Sequence, residues 1–204
     1  MRTHVPVNQA PASKLLRSLN GDGRHGMALL LAVGVLLLPL LGGQPLRLAW
    51  RYQRDAVGVG EFWRLLTAHI VHLDVTHALL NAVGLVLLWG LFARVWNPLQ
   101  WLFAMLVSLL AIDVGFWFLA PQLQWYVGAS GLLHGVFACG CIALLRQRDW
   151  IGAVSTVVFI AKLIWEQRVG PLPFEENGTV VTVAHLYGAV GGFVAGLLMV
   201  ILRR

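Results

Sequence analysis

Residues 184–196 read AHLYGAVGGFVAG, an apolar run in which glycine recurs at Gly188, Gly192 and Gly196. Glycines spaced four residues apart lie on one face of a helix, where they form a smooth stripe against which another helix can pack closely. His185 lies at the start of this run. A polar side chain inside an apolar helix is energetically expensive, so His185 is a candidate functional residue. The stretch therefore predicts a helix packed tightly within a bundle of membrane helices.

The composition indicates that a lipid bilayer surrounds most of the chain. Of the 204 residues, 58% are hydrophobic and only 12% are charged, whereas soluble domains carry about 25% charged residues. The net charge of +6 comes from short basic clusters between apolar runs, which is typical of topology signals rather than of a nucleic-acid-binding face. We therefore expect the bilayer as a partner and no nucleic acid.

Six apolar runs predict an all-α membrane protein with six transmembrane helices. A polar, basic tail, residues 1–26, precedes a six-helix domain, residues 27–204. No signal-peptide cleavage site follows the first run. The linker at 44–76 carries seven charges, too many for hydrocarbon, and its aromatic and basic stretch predicts a partly immersed interfacial loop. The runs are residues 27–46, 78–93, 99–120, 128–145, 150–165 and 179–202.

Lysine and arginine in the loops predict the orientation. Nine of them lie in the segments on the side of the N-terminus and six lie on the opposite side. Because basic residues accumulate in cytoplasmic loops, this distribution predicts a cytoplasmic N-terminus. The fourth and sixth helices then both begin at the outer face.

Two polar residues are predicted to meet at that face. Ser130, in the sequence Gly128-Ala129-Ser130-Gly131, opens the fourth helix, and His185 opens the sixth. Both helices enter from the same side, so the two side chains lie at similar depth, and the glycine stripe allows the fourth helix to approach. A serine becomes a nucleophile when a base takes its proton. The alternatives are a serine that serves helix packing and a histidine that is hydrogen-bonded for structural reasons.

A second polar group opens the second helix. His77 and Asn81 are four residues apart and share a helix face, and both follow His72. Both side chains can donate hydrogen bonds to a developing oxyanion. The alternative is a polar cap that anchors the start of the helix, and the two roles are compatible.

The chain carries four short motifs in order: E-x-W-R from Glu61, H-x4-H-x3-N from His72, G-x-S-G at Ser130, and A-H-x-x-G-x-x-x-G from Ala184. Together they resemble the rhomboid protease family over roughly residues 55–200. The resemblance implies a serine endopeptidase that cuts transmembrane proteins within or at the edge of the bilayer, without a cofactor or metal. It also implies a catalytic dyad of Ser130 and His185 without an acid, and an oxyanion site formed by His77, Asn81 and Gly128.

One departure from the family pattern is His134, four residues after Ser130, where many rhomboids place a tyrosine that supports the catalytic histidine. The motif G-x-S-G-x-x-H-G is similar to the rhombosortase branch. This resemblance implies substrates with a C-terminal Gly-Gly, one helix and a basic tail, processed in a bacterial inner membrane with the active site toward the periplasm. We expect His134 to support His185. The alternative is that His134 is itself the base, since it shares a helix face with Ser130.

Two alternative functions remain open at this point. One is a general rhomboid protease for other transmembrane substrates. The other is a non-catalytic rhomboid-like protein that binds transmembrane clients, although such relatives typically lack the serine or the histidine, and this chain has both. Asp113 and Lys162 are further charges inside apolar runs, and a salt bridge between them is one interpretation. Cys139 and Cys141 are expected to be packed thiols.

Overall fold

The computed structural model describes residues 26–171 and 181–202. The predicted tail lies outside these residues, apart from Gly26. Helices dominate the described part of the chain, which confirms the predicted helical membrane class, and one short two-stranded ladder was not predicted. The elements are α1 (Gly26–Leu37), a 3-10 helix (Leu38–Gly42), α2 (Gly43–Trp50), β1 (Tyr52–Gln53), α3 (Arg54–Gly58), α4 (Arg64–Thr67), α5 (Val75–Phe92), α6 (Pro98–Val114), a π-helix (Gly115–Leu119), β2 (Trp125–Tyr126), α7 (Ser130–Arg146), α8 (Trp150–Arg168) and α9 (Thr182–Ile201).

Five helical segments in the described residues are long and apolar enough to cross a membrane, so the chain is a multi-pass membrane protein. The segments are Gly26–Trp50, Val75–Phe92, Pro98–Leu119, Trp150–Arg168 and Thr182–Ile201. The remaining apolar helix, α7, has 17 residues and is about 25 Å long, shorter than a typical hydrocarbon core of about 30 Å. A count of six spanning helices therefore stays a prediction.

The linker after the first span is more ordered than the sequence indicated. The first helical segment continues to Trp50 rather than ending near residue 46, and β1 pairs antiparallel with β2 through Tyr52 and Tyr126. Arg64 ties this region together: its Nη1 donates to the carbonyl oxygens of Leu48 and Arg51, each at 2.9 Å. The same side chain pairs with Glu61 at 2.6 Å.

The glycine stripe packs α9 against α7, as the sequence predicts. A Cβ atom added to Gly188 would collide with the carbonyl oxygen of Gly131, and one added to Gly192 would collide with that of Gly135. At Gly196 an added Cβ would lie 3.0 Å from Cβ of Ile142. At Gly188 and Gly192 backbone meets backbone, so no side chain larger than hydrogen fits there without separating the two helices. The stripe therefore sets the distance between the helices that carry Ser130 and His185.

The salt bridge between Asp113 and Lys162 is not formed. Asp113 Oδ1 lies 3.8 Å from Nε2 of the buried His69, and Lys162 pairs with Glu166, one turn further along α8. A partner four residues away on the same helix is already adjacent when the helix forms. Cys139 and Cys141 are buried free thiols.

Candidate active site

Ser130 is the first residue of α7, and two hydrogen bonds hold the loop before it. The buried Tyr126 hydroxyl donates to the carbonyl oxygen of Gly128 at 2.6 Å, and Gly128 N–H donates to the carbonyl oxygen of Ala68 at 2.9 Å. Burial raises the pKa of Tyr126, so its hydroxyl stays protonated and able to donate. Gly128 has φ +124°, and a Cβ there would lie 2.7 Å from Cε1 of His77. Only glycine suits this position.

The structure brings Ser130 and His185 together. Oγ of Ser130 lies 2.8 Å from Nε2 of His185, which is hydrogen-bond distance for a base that takes a proton from a nucleophile. His185 lies in the first turn of α9 and is only 1% exposed. The packing of α9 on α7 thus produces the pairing that the sequence predicts for these two residues.

A third group, Glu166, completes a chain of contacts that sequence reasoning missed. Its Oε2 lies 3.0 Å from Nδ1 of His185, and the residue is buried in the last turn of α8. The resemblance implies a dyad without an acid, and the structure places a buried carboxylate beside the histidine of that pair. The predicted fifth helix ended at residue 165, which left Glu166 in a polar loop. The i, i+4 spacing of Lys162 and Glu166 is a sequence signal that the helix continues through Glu166, because opposite charges at this spacing pair on one helix face.

His134 stacks flat on His185, with ring centroids 4.0 Å apart and planes 6° from parallel. Its Nδ1 lies 2.7 Å from the carbonyl oxygen of Ser130, and its Nε2 lies 3.0 Å from Nζ of Lys162. Both ring nitrogens are therefore engaged with atoms other than the Ser130 hydroxyl. This geometry favours support of His185 over the alternative in which His134 is the base.

Two of the three predicted oxyanion residues, His77 and Asn81, border the same cavity of about 390 Å³ as Ser130 and His185. Asn81 Nδ2 donates to the carbonyl oxygen of His77 at 3.2 Å, and its amide has a second N–H with which to donate. The His77 ring packs against Gly128. The rest of the cavity wall is mainly apolar and includes Leu80, Gly84, Leu87, Leu88, Leu91, Leu133 and Phe137.

His72 lies beside this group and is kept neutral. Burial, together with the neighbouring His77, lowers the pKa of His72 to about 4, well below pH 7. The two rings meet edge to face, with centroids 5.2 Å apart. His72 thus supports the His77 ring without adding a charge next to the cavity.

The side chains of His134, Glu166 and His185 could in principle hold a metal ion, since one ligand atom from each lies within 4.8 Å of the others. The Lys162 ammonium, however, already bonds His134 Nε2 and Glu166. A cation that occupies two of the three ligands and repels a second cation makes this cluster a poor metal site.

Comparisons with known proteins show which family and which relative the chain is similar to. The family model described as Rhomboid domain matches residues 59–202, a range that contains every residue of the candidate site. One curated relative is the Bacillus subtilis (strain 168) protein named "Putative rhomboid protease YdcA". It is 28% identical over 144 residues, which cover 71% of this chain and 70% of that protein.

Proposed function

Since the chain belongs to the rhomboid family, we propose that it is an intramembrane serine endopeptidase with Ser130 as nucleophile and His185 as base. The observation that carries the proposal is the 2.8 Å contact between Ser130 Oγ and His185 Nε2. The contact lies at the wall of a largely apolar cavity. Such a cavity can receive a segment of a transmembrane substrate, and the family assignment supports the same class of reaction.

The proposed reaction is acyl transfer followed by hydrolysis. Ser130 Oγ bonds to the carbonyl carbon of the scissile peptide while its proton passes to His185 Nε2. The C–N bond then breaks, and His185 returns the proton to the leaving amine nitrogen. A water molecule attacks the acyl-enzyme and gives one proton to His185, which passes it to Ser130 Oγ as the second product leaves.

The negative charge on the carbonyl oxygen requires donors near Ser130. We assign this role to His77, Asn81 and the Gly128 loop, because His77 and Asn81 border the cavity and Gly128 packs against His77. Donors fixed before the reaction stabilise the oxyanion without reorganisation at the moment of attack. His134 is assigned a supporting role, in which its ring holds the His185 ring flat against α7.

Replacement of Asn81 tests the oxyanion assignment. Asn81→Ala is expected to lower kcat by about 10²-fold or more with little change in KM, because the lost hydrogen bond strengthens only in the transition state. Steady-state cleavage of a reconstituted transmembrane substrate measures both constants. Asn97→Asp is a suitable control, since it keeps the side-chain oxygen that caps α6. A change in KM alone would instead assign Asn81 to substrate binding or to anchoring of α5.

We propose that the substrates are those of a rhombosortase, namely exported proteins with a C-terminal Gly-Gly, one helix and a basic tail. A helical peptide hides its carbonyl groups in hydrogen bonds and must unwind before attack. Glycine is about 1 kcal/mol worse than alanine in a helix, so a Gly-Gly pair lowers that cost, and it lets the backbone approach Ser130 closely. The excess of basic residues in segments on the side of the N-terminus supports a bacterial inner membrane orientation with a cytoplasmic N-terminus and a periplasmic active site.

A model substrate with Gly-Gly, one helix and an Arg/Lys tail tests both the protease activity and the specificity for Gly-Gly. The protein is expected to cut this substrate in proteoliposomes, and replacement of Gly-Gly by Val-Val is expected to stop cleavage with helix and tail unchanged. Product mass gives the cut site. Equal cleavage of both forms would indicate a general rhomboid protease. Binding of both forms without cleavage would indicate a client-binding protein.

A further inference from the structure

Glu166 pairs with Lys162 and also contacts His185. We infer that Glu166, oriented by Lys162, is a positioning residue that fixes the tautomer of His185 and makes the site a Ser-His-Glu triad. The inference rests on the proposed function of Ser130 and His185. It adds a third residue to the site and gives the donor and the acceptor in each hydrogen bond of His185.

The two ring nitrogens of His185 face different partners. A carboxylate oxygen accepts hydrogen bonds and cannot donate. Because Glu166 Oε2 lies 3.0 Å from Nδ1, Nδ1 carries the hydrogen of the neutral ring. Nε2 then presents its lone pair to the Ser130 hydroxyl at 2.8 Å. This is the tautomer that a base needs, and the carboxylate also stabilises the imidazolium that forms when the serine proton is taken.

Lys162 determines which carboxylate oxygen faces His185. Its ammonium can only donate, and it donates to Glu166 Oε1 and to Nε2 of His134. Oε1 is therefore committed to Lys162 and Oε2 to His185. The same bond makes His134 Nε2 an acceptor, so Nδ1 of His134 carries a hydrogen and donates to the Ser130 carbonyl oxygen. Among the described residues, the charged and titratable groups of this cluster around His185 are Glu166, Lys162, His134 and Ser130, and each forms its hydrogen bonds in one direction.

If Glu166 only neutralised Lys162, its replacement by glutamine would leave the tautomer of His185 unchanged. A positioning role predicts that the tautomer changes. In Glu166→Gln, one oxygen becomes an amide nitrogen. Lys162 requires an acceptor, so the remaining oxygen turns toward Lys162 and the amide N–H₂ faces His185 Nδ1. Nδ1 must then accept, the hydrogen moves to Nε2, and His185 can no longer take a proton from Ser130. An isosteric change would thereby reverse the tautomer while the fold is retained.

The experiment compares Glu166→Gln with the double variant Lys162→Met/Glu166→Gln. Glu166→Gln is expected to lower kcat by about 10³- to 10⁴-fold with KM nearly unchanged. In the double variant the amide is free to turn its oxygen toward His185, so kcat is expected to recover at least about tenfold over Glu166→Gln. Nitrogen-15 NMR of labelled histidine in detergent reads the tautomer directly: Nδ1–H in the wild type and double variant, Nε2–H in Glu166→Gln.

Two further variants control for folding and for a general charge effect. Asp149→Asn makes the same carboxylate-to-amide change at the start of α8 and keeps the oxygen that accepts from Ile151 N–H, so wild-type activity is expected. If Glu166→Gln does not fold, the comparison moves to Lys162→Met/Glu166→Gln and Lys162→Met/Glu166→Leu, which leave no unpaired charge. The leucine form lacks an acceptor for Nδ1 and is expected to lose the Nδ1–H tautomer.

The results separate this inference from the proposed function. The inference is overturned if Glu166→Gln stays within about threefold of the wild type with an unchanged tautomer. It is equally overturned if the double variant shows no recovery, or if the leucine form keeps the Nδ1–H tautomer. Loss of cleavage in Ser130→Ala would leave the protease assignment standing in each of those cases. Persistent cleavage in Ser130→Ala would remove the protease assignment itself.

Discussion

Ser130→Ala and His185→Ala are each expected to reduce cleavage of a reconstituted substrate by about 10⁴-fold or more while the protein remains inserted and folded. The first change removes the attacking oxygen. The second removes the base that lies 2.8 Å from it, and an unassisted serine hydroxyl is a weak nucleophile. Because both residues serve one step, the double variant is expected to be no worse than either single variant.

Labelling with a fluorophosphonate probe complements the cleavage assay, since it reports the reactivity of the serine without a peptide substrate. Wild-type protein is expected to be labelled at Ser130 and His185→Ala to be labelled far more slowly. Ser108→Ala is a matched control, because this buried hydroxyl donates only along its own helix, to Ala104 at 2.8 Å. Cleavage by Ser130→Ala above trace levels would show that another group attacks the peptide bond.

Gly192→Ala is expected to destabilise the protein by about 3 kcal/mol and to abolish serine labelling. The added Cβ would collide with the carbonyl oxygen of Gly135, and backbone cannot yield as a side-chain tip can. The helices α7 and α9 must then separate, which breaks the contact between Ser130 and His185. Thermal unfolding in detergent measures the loss of stability, and fluorophosphonate labelling measures the loss of the site.

Gly34→Ala is the matched control for this prediction. Gly34 lies in α1, and a Cβ there would meet only Cδ1 of Leu38, at 4.0 Å. Alanine is a better helix former than glycine by about 1 kcal/mol, so Gly34→Ala is expected to be neutral or slightly stabilising. An unfolding temperature of Gly192→Ala equal to that of Gly34→Ala would contradict the close packing of α7 and α9.

The helical class and the glycine stripe were predictable because each rests on a local period. Apolar runs mark helices, and a glycine every fourth residue marks the face that packs. The meeting of Ser130 with His185 needs one further step, the number of membrane crossings between their two helices. That number also follows from the order of the apolar runs along the chain, so the pairing can be predicted without the structure.

Glu166 and the pairing of β1 with β2 were not predictable in the same way. Glu166 follows Trp165 and precedes a glutamine and an arginine, a pattern typical of a helix that has reached the interface. Glu166 is buried because α9 packs against the end of α8 and brings His185 next to it. The hydrophobic periodicity of a single helix does not predict such a contact between two helices. The interpretation in which Lys162 pairs with Asp113 on another helix fails for a related reason, since α8 continues through Arg168 and places Glu166 one turn from Lys162.

The short length of α7 has a consequence for where the protein can act. With 17 residues, α7 covers about 25 Å and leaves about 5 Å of an average hydrocarbon layer uncovered. Ser130 is the first residue of that helix. If the uncovered layer lies at this end of α7, the proposed cleavage site would be open to the water that hydrolysis consumes. Peptide bonds near that membrane surface would then come within reach of Ser130, and bonds at the midplane would not.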